Sequence, residues 1–360
     1  MKKIILIILL ILCTGCTDYT EINDLVIISG MIIDYKNDKY EITSQLILNE
    51  DKTFVKNITT TSNSIENAIS KISKYSNKNI FISHLKTLII TDNIIKNNIN
   101  FYDYFLREPK AKINFNTYIT DSDTAKKIFE INKTEGSALY IEKMTNINND
   151  IYSSTTPLSF IDLVYKKIEP GIEPIYPKIT IKENNNKSSL YLDHIVFFNN
   201  DNKPITLKSE DSINYNIITN NAKKTIKNIK CDNNKLFSLT LKDINTKYEW
   251  KNNKFIFNIK INADINSYEC NYDLKNKKTL NKLNNIAEKQ IKPEFEKLIK
   301  LSKENKSDIF GIGNYIYKHD KNYYKKINNW NYNLNNIETE IKLKILIGSS
   351  GEKRKWKMKK

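Results

Sequence analysis

The chain has 360 residues, 57 basic against 41 acidic, and a formal net charge of +16. Its 40% hydrophobic and 11% aromatic content, with charge spread through Ile- and Tyr-rich segments, excludes a disordered chain and suffices for more than one core. Eight glycines and seven prolines exclude collagen-like and low-complexity classes, and four cysteines are too few for a disulfide framework.

At the N-terminus, Lys2 and Lys3 precede the apolar run Ile4 to Leu12, followed by Cys13-Thr14-Gly15-Cys16. This order reads as a secretory signal over residues 1–15, because nine apolar residues reach only about 14 Å as a helix, half a hydrocarbon core. Gly15-Cys16 resembles the bacterial lipobox, whose Cys receives a diacylglyceryl group and becomes the new N-terminus. Cys16 is therefore the expected lipidation site, and two or more acyl chains at about 0.8 kcal/mol per buried CH₂ would tether the chain stably. No later segment has 18 uninterrupted apolar residues. Export removes nucleic acid as the partner of so basic a chain and leaves the lipid headgroup layer as the anionic surface nearby. The tail Lys353 to Lys360 surrounds Trp356 with cations, which reads either as a headgroup contact or as a solvated end.

Leu25 to Asp34 is a β-branched apolar run and predicts a buried strand; Tyr40 to Asn49 and Thr53 to Thr60 predict two more. Asn63 and Glu66 form a capping pair, with Ile65, Ala68, Ile69 and Ile72 at helical spacing behind it. A strand at Leu85 to Thr91, a helix ending before Pro109, a strand at Ile113 to Thr120 and a helix at Thr124 to Ile131 complete an alternation that predicts an α/β or α+β fold. Residues 134–182 read first as helix and then as loop, with Glu169-Pro170-Gly171-Ile172-Glu173-Pro174 as the clearest punctuation. The boundary is placed after residue 186, giving an N-terminal α/β region over 16–186.

The region 187–348 opens with a strand at Leu190 to Phe198 and a helix around Ser209 to Ile218. Strands at Thr225 to Lys230, Leu236 to Tyr248 and Phe255 to Ile265 follow, then an amphipathic helix over Asp273 to Lys303 with Pro293 as a kink site. Another helix is expected after Ser307-Asp308. In the closing strand Ile337, Thr339, Ile341, Leu343, Ile345 and Ile347 face one way and Glu338, Glu340, Lys342 and Lys344 the other. The prediction is an α+β domain with one antiparallel sheet covered by the long helix, then a basic tail over 349–360.

Chemistry-bearing patterns are missing. His84, His194 and His319 have no ligand spacing, and there is no His-Glu-x-x-His, no paired Cys-x-x-Cys motifs and no Gly-x-Ser-x-Gly elbow. Gly311-Ile312-Gly313 lacks the Lys-Ser/Thr of a phosphate loop and predicts close helix packing. Cys231 and Cys270 read equally as a disulfide between strands or as two buried thiols. Arg107 is a candidate for an ion pair with Glu108 or Glu21, or simply for a solvated one. No catalytic, metal or cofactor residue is nominated, and no cofactor is expected.

A set of matches in order carries a resemblance. Glu21-Ile22-Asn23-Asp24-Leu25 follows the lipobox, then Gly30 and Asp34; His84-Leu85-Lys86 leads into an apolar strand. Asp103 to Pro109, Pro170-Gly171 with Pro174, and Asp308-Ile309-Phe310-Gly311-Ile312-Gly313 with Trp330 complete the series. Over about residues 14–348 this resembles the Ger(x)C spore-germination lipoproteins, the C subunits of germinant receptors. The resemblance implies a non-catalytic subunit anchored to the spore inner membrane, facing outward, that assembles with A-type and B-type membrane subunits to sense small nutrients. It also implies three α/β subdomains of mixed sheets flanked by helices, the N-terminal region being bipartite. The other readings to weigh are a lipid-anchored solute-binding protein, which usually has two α/β lobes, and a surface hydrolase, which needs a nucleophile constellation.

Overall fold

The computed structural model describes residues 25–48, 54–75, 78–132, 135–185, 187–231, 235–274 and 276–348. The signal at 1–15, the lipidation site Cys16, Glu21 and the tail at 349–360 lie outside the described residues.

The first part of the chain builds one mixed sheet from β1 (Leu25–Lys36), β2 (Lys39–Leu48), β3 (Phe54–Ser62), β4 (Asn79–Phe81), β5 (Thr87–Thr91), β6 (Asn116–Thr120), β7 (Tyr176–Asn184), β8 (Lys187–Phe198) and β9 (Pro204–Leu207). Its order is β3-β2-β1-β5-β6-β7-β8-β9, with β4 pairing the start of β1. The centre, β1-β5-β6-β7, is parallel and the flanks are antiparallel. A parallel centre must be covered on both faces, which is why β1 and β5 read as continuous apolar runs. Alternate residues divide accordingly. Met31, Ile33, Leu88, Ile90 and Ile119 join one core with α1 (Ile65–Ile72), α2 (Asp92–Lys96), α3 (Tyr102–Arg107) and α6 (Phe160–Ile168). Ile32, Ile89 and Tyr118 join the other with α4 (Ser122–Ile131) and α5 (Ser137–Ile151). The cap of α1 is Ser64, one residue after the expected Asn63; its Oγ accepts from Asn67 N at 3.2 Å.

Then come α7 (Ser209–Ile218), β10 (Lys224–Lys230), β11 (Leu236–Lys251), β12 (Lys254–Tyr268), α8 (Lys277–Glu304), α9 (Ile312–His319), α10 (Lys321–Lys326), α11 (Trp330–Asn333) and β13 (Glu338–Ile347). The second sheet runs β10-β11-β12-β13. It is not wholly antiparallel, as expected from the alternation alone: β13 pairs β12 in parallel, Lys254 opposite Glu338 through Ala263 opposite Ile347. The physical reason is α8. Its 28 residues run back about 42 Å along the 15-residue β12, returning the chain to the end where β12 began. Pro293 lies within α8, which continues on both sides of it. Leu283, Ala287, Ile291, Phe295 and Leu298 form its buried stripe, packed on Phe255, Phe257, Ile259, Ile341 and Ile345.

The expectation of mixed sheets flanked by helices holds: the described residues form two sheets and three apolar cores. The expected boundary lies between β7 and β8, which pair antiparallel, so the large sheet continues past it through β8 and β9. Ile195, Phe197 and Leu207 from those strands pack into the same core as α8 and the second sheet.

Candidate functional site

Two stretches more than 130 residues apart in sequence, the mid-chain Pro-Gly loop and the Asp308–Asn314 segment, meet where the two sheets join. Gly171 has φ +68°, and a Cβ there would sit 2.5 Å from the backbone carbon of Gly313. Gly313 in turn lies under Trp330, whose indole would be 2.4 Å from an added Cβ. The absent side chains let loop, helix start and indole stack in direct contact. Asn314 N donates to Gly171 O at 2.8 Å, and Asn314 Nδ2 donates to Pro170 O at 3.1 Å and Glu169 Oε2 at 3.3 Å. Tyr165 on α6 donates its hydroxyl to Asn314 Oδ1 at 2.9 Å. Glu173 N donates to Asp308 O at 2.9 Å.

Asp308 is the polar centre. Its carboxylate accepts from Ile312 N at 3.0 Å, Gly313 N at 2.7 Å and Trp330 Nε1 at 2.8 Å, with no exposed surface. Burial pushes its pKa up to about 6, against the three N–H donors, which favour the charged form. The helix expected straight after Ser307-Asp308 begins instead at Ile312, four residues on. The chain first makes a turn through Gly311, φ +68°, whose Cβ position faces Ile172 of the mid-chain loop at 2.9 Å.

Beside this junction lies a cavity of about 100 Å³ bordered by Lys167, Glu173, Tyr176, Phe198, Lys306 and Ser307. Asn331 Nδ2 donates to Glu173 Oε1 at 3.3 Å on its rim. Lys306 has φ +51°, at the C′ position of α8. There the Schellman pattern is complete, with Ser307 N on Ser302 O at 3.1 Å and Lys306 N on Lys303 O at 2.9 Å.

The other motif residues fall on the large sheet. Gly30 lets β1 approach α5, since a Cβ there would lie 2.4 Å from that of Ala138. Asp34 is 3% exposed and is bonded by Lys36 Nζ at 2.6 Å, Thr91 Oγ1 at 2.5 Å and Tyr35 N at 2.8 Å. Burial raises its pKa, but those donors outweigh burial and hold it below the ordinary carboxylate value. Arg107 does not pair with Glu108; its Nε lies 2.8 Å from Asp103 Oδ2, one helical turn back, because i,i+4 residues share a helix face. His84 is exposed with its ring 5.5 Å from Phe81, His194 bonds its neighbour Asp193, and His319 stacks on Tyr315 at 3.9 Å. Cys231 and Cys270 are joined as a disulfide. Among the described residues no three His, Cys, Asp or Glu side chains form a metal-binding group, and no helix is long and apolar enough to cross a membrane.

Sequence reasoning singled out Gly171, Asp308, Gly311, Gly313 and Trp330 but not that they touch. It missed Tyr165, Asn314 and Tyr176, none of which belongs to a local pattern, and it read Ser307 only as part of a helix cap. Tyr176 opens β7, a strand read as loop.

Two family models match the chain in tandem: a spore germination protein N-terminal domain over residues 18–181, and a spore germination B3/GerAC-like C-terminal domain over residues 193–351. No curated protein matches it. The crystal structure of the GerBC protein is similar in fold, with a TM-score of 0.53 at 18% identity, covering 88% of this chain and 96% of that one. With both domains matched in order, and with the same fold, the chain belongs to the GerAC-like family of spore germination proteins.

Proposed function

We propose that this protein is a lipid-anchored, non-catalytic subunit of a spore nutrient germinant receptor. It is held through Cys16 on the outer face of the spore inner membrane and assembles there with A-type and B-type membrane subunits. The observation that carries this reading is the tandem family match, residues 18–181 and 193–351, preceded in the sequence by the apolar run Ile4 to Leu12 and Gly15-Cys16. The Cys231–Cys270 disulfide supports it, because structural disulfides belong to oxidising compartments outside the cytoplasm. A lipid anchor supplies the membrane attachment for which no described helix is suited.

The test is Cys16→Ala in sporulating cells, scored for membrane retention and nutrient-triggered germination. The expected outcome is loss of the protein from the spore membrane fraction, with a reduced nutrient response and an intact response to non-nutrient triggers. Unchanged retention and germination would overturn the anchored-subunit reading.

A further inference from the structure

One end of the large sheet carries an exposed apolar ridge. Ile161, Tyr165 and Ile168 stand at i, i+4 and i+7 along α6 and so share one of its faces. The opposite side of α6 supplies Phe160, Leu163 and Val164 to the core. Ile161 is 53% exposed and Ile168 67%, on a helix whose core stripe is already complete without them. The Phe105 ring packs on Phe160 at 5.5 Å, which brings α3 and its exposed Leu106 next to the start of α6.

Cations border this ridge. Lys318 of α9 lies over the Tyr165 ring at 5.0 Å and donates to its hydroxyl oxygen. On the flanking segments Lys321, Lys325 and Lys326 of α10, with Lys110 and Lys112 after α3, are exposed and make no ion pair among the described residues. The carboxylates of these segments are already engaged: Asp103 by Arg107, Glu108 by Lys110 N, Asp162 by Ser159 Oγ, Glu169 by Asn314 and Asp320 by Tyr323 N. An apolar ridge edged by uncompensated cations is complementary to a surface that is anionic outside and hydrocarbon beneath.

Topology places that ridge close to the anchoring residue. β1, β5, β6 and β7 run parallel, so all four begin at the same end of the sheet. α6 lies at that end: Phe160 N donates to Phe115 O at 2.9 Å just before β6, and the chain leaving α6 returns to Tyr176, the first residue of β7. β1 begins there too, at Leu25, and Cys16 stands nine residues earlier, a span of at most about 30 Å.

We propose that the α6 ridge is the surface on which the folded chain rests against an anionic lipid headgroup layer. Ile161 and Ile168 reach the acyl boundary, and Lys318 lies among the phosphates with Tyr165 between. The proposal rests on the Cys16 reading for its orientation and adds a contact that needs no acyl chain.

The test uses the chain from Cys16 onward, made without acylation, which keeps every described residue and omits the apolar run that would itself bind lipid. It is sedimented with vesicles of phosphatidylcholine, alone or with about one part in three phosphatidylglycerol. Binding at least about tenfold tighter to the anionic vesicles is expected. Ile161→Gln combined with Ile168→Gln should weaken that binding about tenfold or more, and Lys318→Gln roughly fivefold. Lys187→Gln removes the same charge at the far end of β7, where β8 begins, and should leave binding unchanged. The substituted side chains are exposed, so each variant should keep the Tm of the parent. No preference for the anionic vesicles, full affinity in the double isoleucine variant, or an equal loss in Lys187→Gln would each overturn the proposal. Failure of the Cys16→Ala test would strike the anchor and leave this readout standing, whereas failure with vesicles would strike the ridge alone.

Discussion

Asp308 sits where burial and hydrogen bonding oppose one another. Removing the carboxylate in Asp308→Ala leaves the N–H groups of Ile312, Gly313 and Trp330 unpaired in the interior, and the expected loss is roughly 3–5 kcal/mol, measured by urea unfolding at pH 7. Its titration adds a second prediction. The folded-state pKa is raised from 3.8 to about 6, so the native state keeps the proton longer than the unfolded chain. The stability linked to that proton is complete below about pH 4 and is lost as pH rises through 6, an effect on the order of 3 kcal/mol. Asp34 and Asp121 have the opposite sign, being held below their ordinary value, and their contribution is lost on acidification. Comparing the parent with Asp308→Asn cancels them: relative to the parent, Asp308→Asn gains stability between pH 4 and pH 6. A flat difference across that range would show that this carboxylate does not titrate there. Lys306 is the other residue held against its preference. Lys306→Gly is expected to raise stability by about 0.5–1 kcal/mol, since glycine accepts the left-handed position without a Cβ clash. A loss of stability would mean that the Lys306 side chain, over Tyr332, contributes more than its backbone strain costs.

At the scale of elements, the loop around Gly171 and the start of α9 act as a single clamp. In Gly171→Ala a methyl group would meet the Gly313 backbone at 2.5 Å from a left-handed residue, and neither backbone can swing away as a side chain would. The expected cost is about 2–5 kcal/mol, strain and overpacking together. Gly348→Ala, whose new methyl would be no closer than 3.7 Å to a neighbour, is the control and is expected to be near neutral in the same urea titration. The disulfide between the end of β10 and the chain after β12 closes a loop with a sequence separation of 39, which in the chain-entropy account corresponds to about 4 kcal/mol. Cys231→Ala combined with Cys270→Ala should lose about 2–4 kcal/mol, and an unchanged unfolding midpoint would show the bond to be incidental. Those elements that carry their own periodicity were legible beforehand: β1 and β5 as apolar runs, β13 by strict alternation, α7 to the residue. β7 was hidden because only its first residues are buried, and by contacts from β6 and β8, while Pro177 and the preceding prolines signal loop. The start of α9 was misplaced because Ser307-Asp308 satisfies the local capping rule, yet the carboxylate serves N–H groups four and five residues on. The glycines and Trp330 of the junction stood out singly. Their contact depends on a loop and a helix distant in sequence, which no local pattern encodes.

For the molecule as a whole, the question is how strongly the two sheets depend on one another. β8 and β9 are hydrogen-bonded to the large sheet, but their side chains Ile195, Phe197 and Leu207 sit in the core built with α8 and the second sheet. Further ties run alongside: Tyr215 donates to Ile309 O at 3.2 Å, Ser153 Oγ to Lys224 O at 2.9 Å, and Asn216 Nδ2 to Ser153 O at 2.7 Å. A cut after residue 186 would open the β7 edge of the large sheet and remove one wall of the second core in the same step, leaving unpaired strand backbone on both pieces. Unfolding of the intact chain should therefore be one cooperative transition, with near- and far-ultraviolet circular dichroism falling together on heating or in urea. Fragments 25–186 and 187–348 expressed separately should each unfold broadly and at lower denaturant, and mixing them should restore part of the sharp transition. Two well-separated transitions in the intact chain, or a fragment as stable alone as within the whole, would show that the connection between β7 and β8 is a true seam. A single transition would mean that anything binding only the native chain stabilises both sheets together, since neither then unfolds without the other.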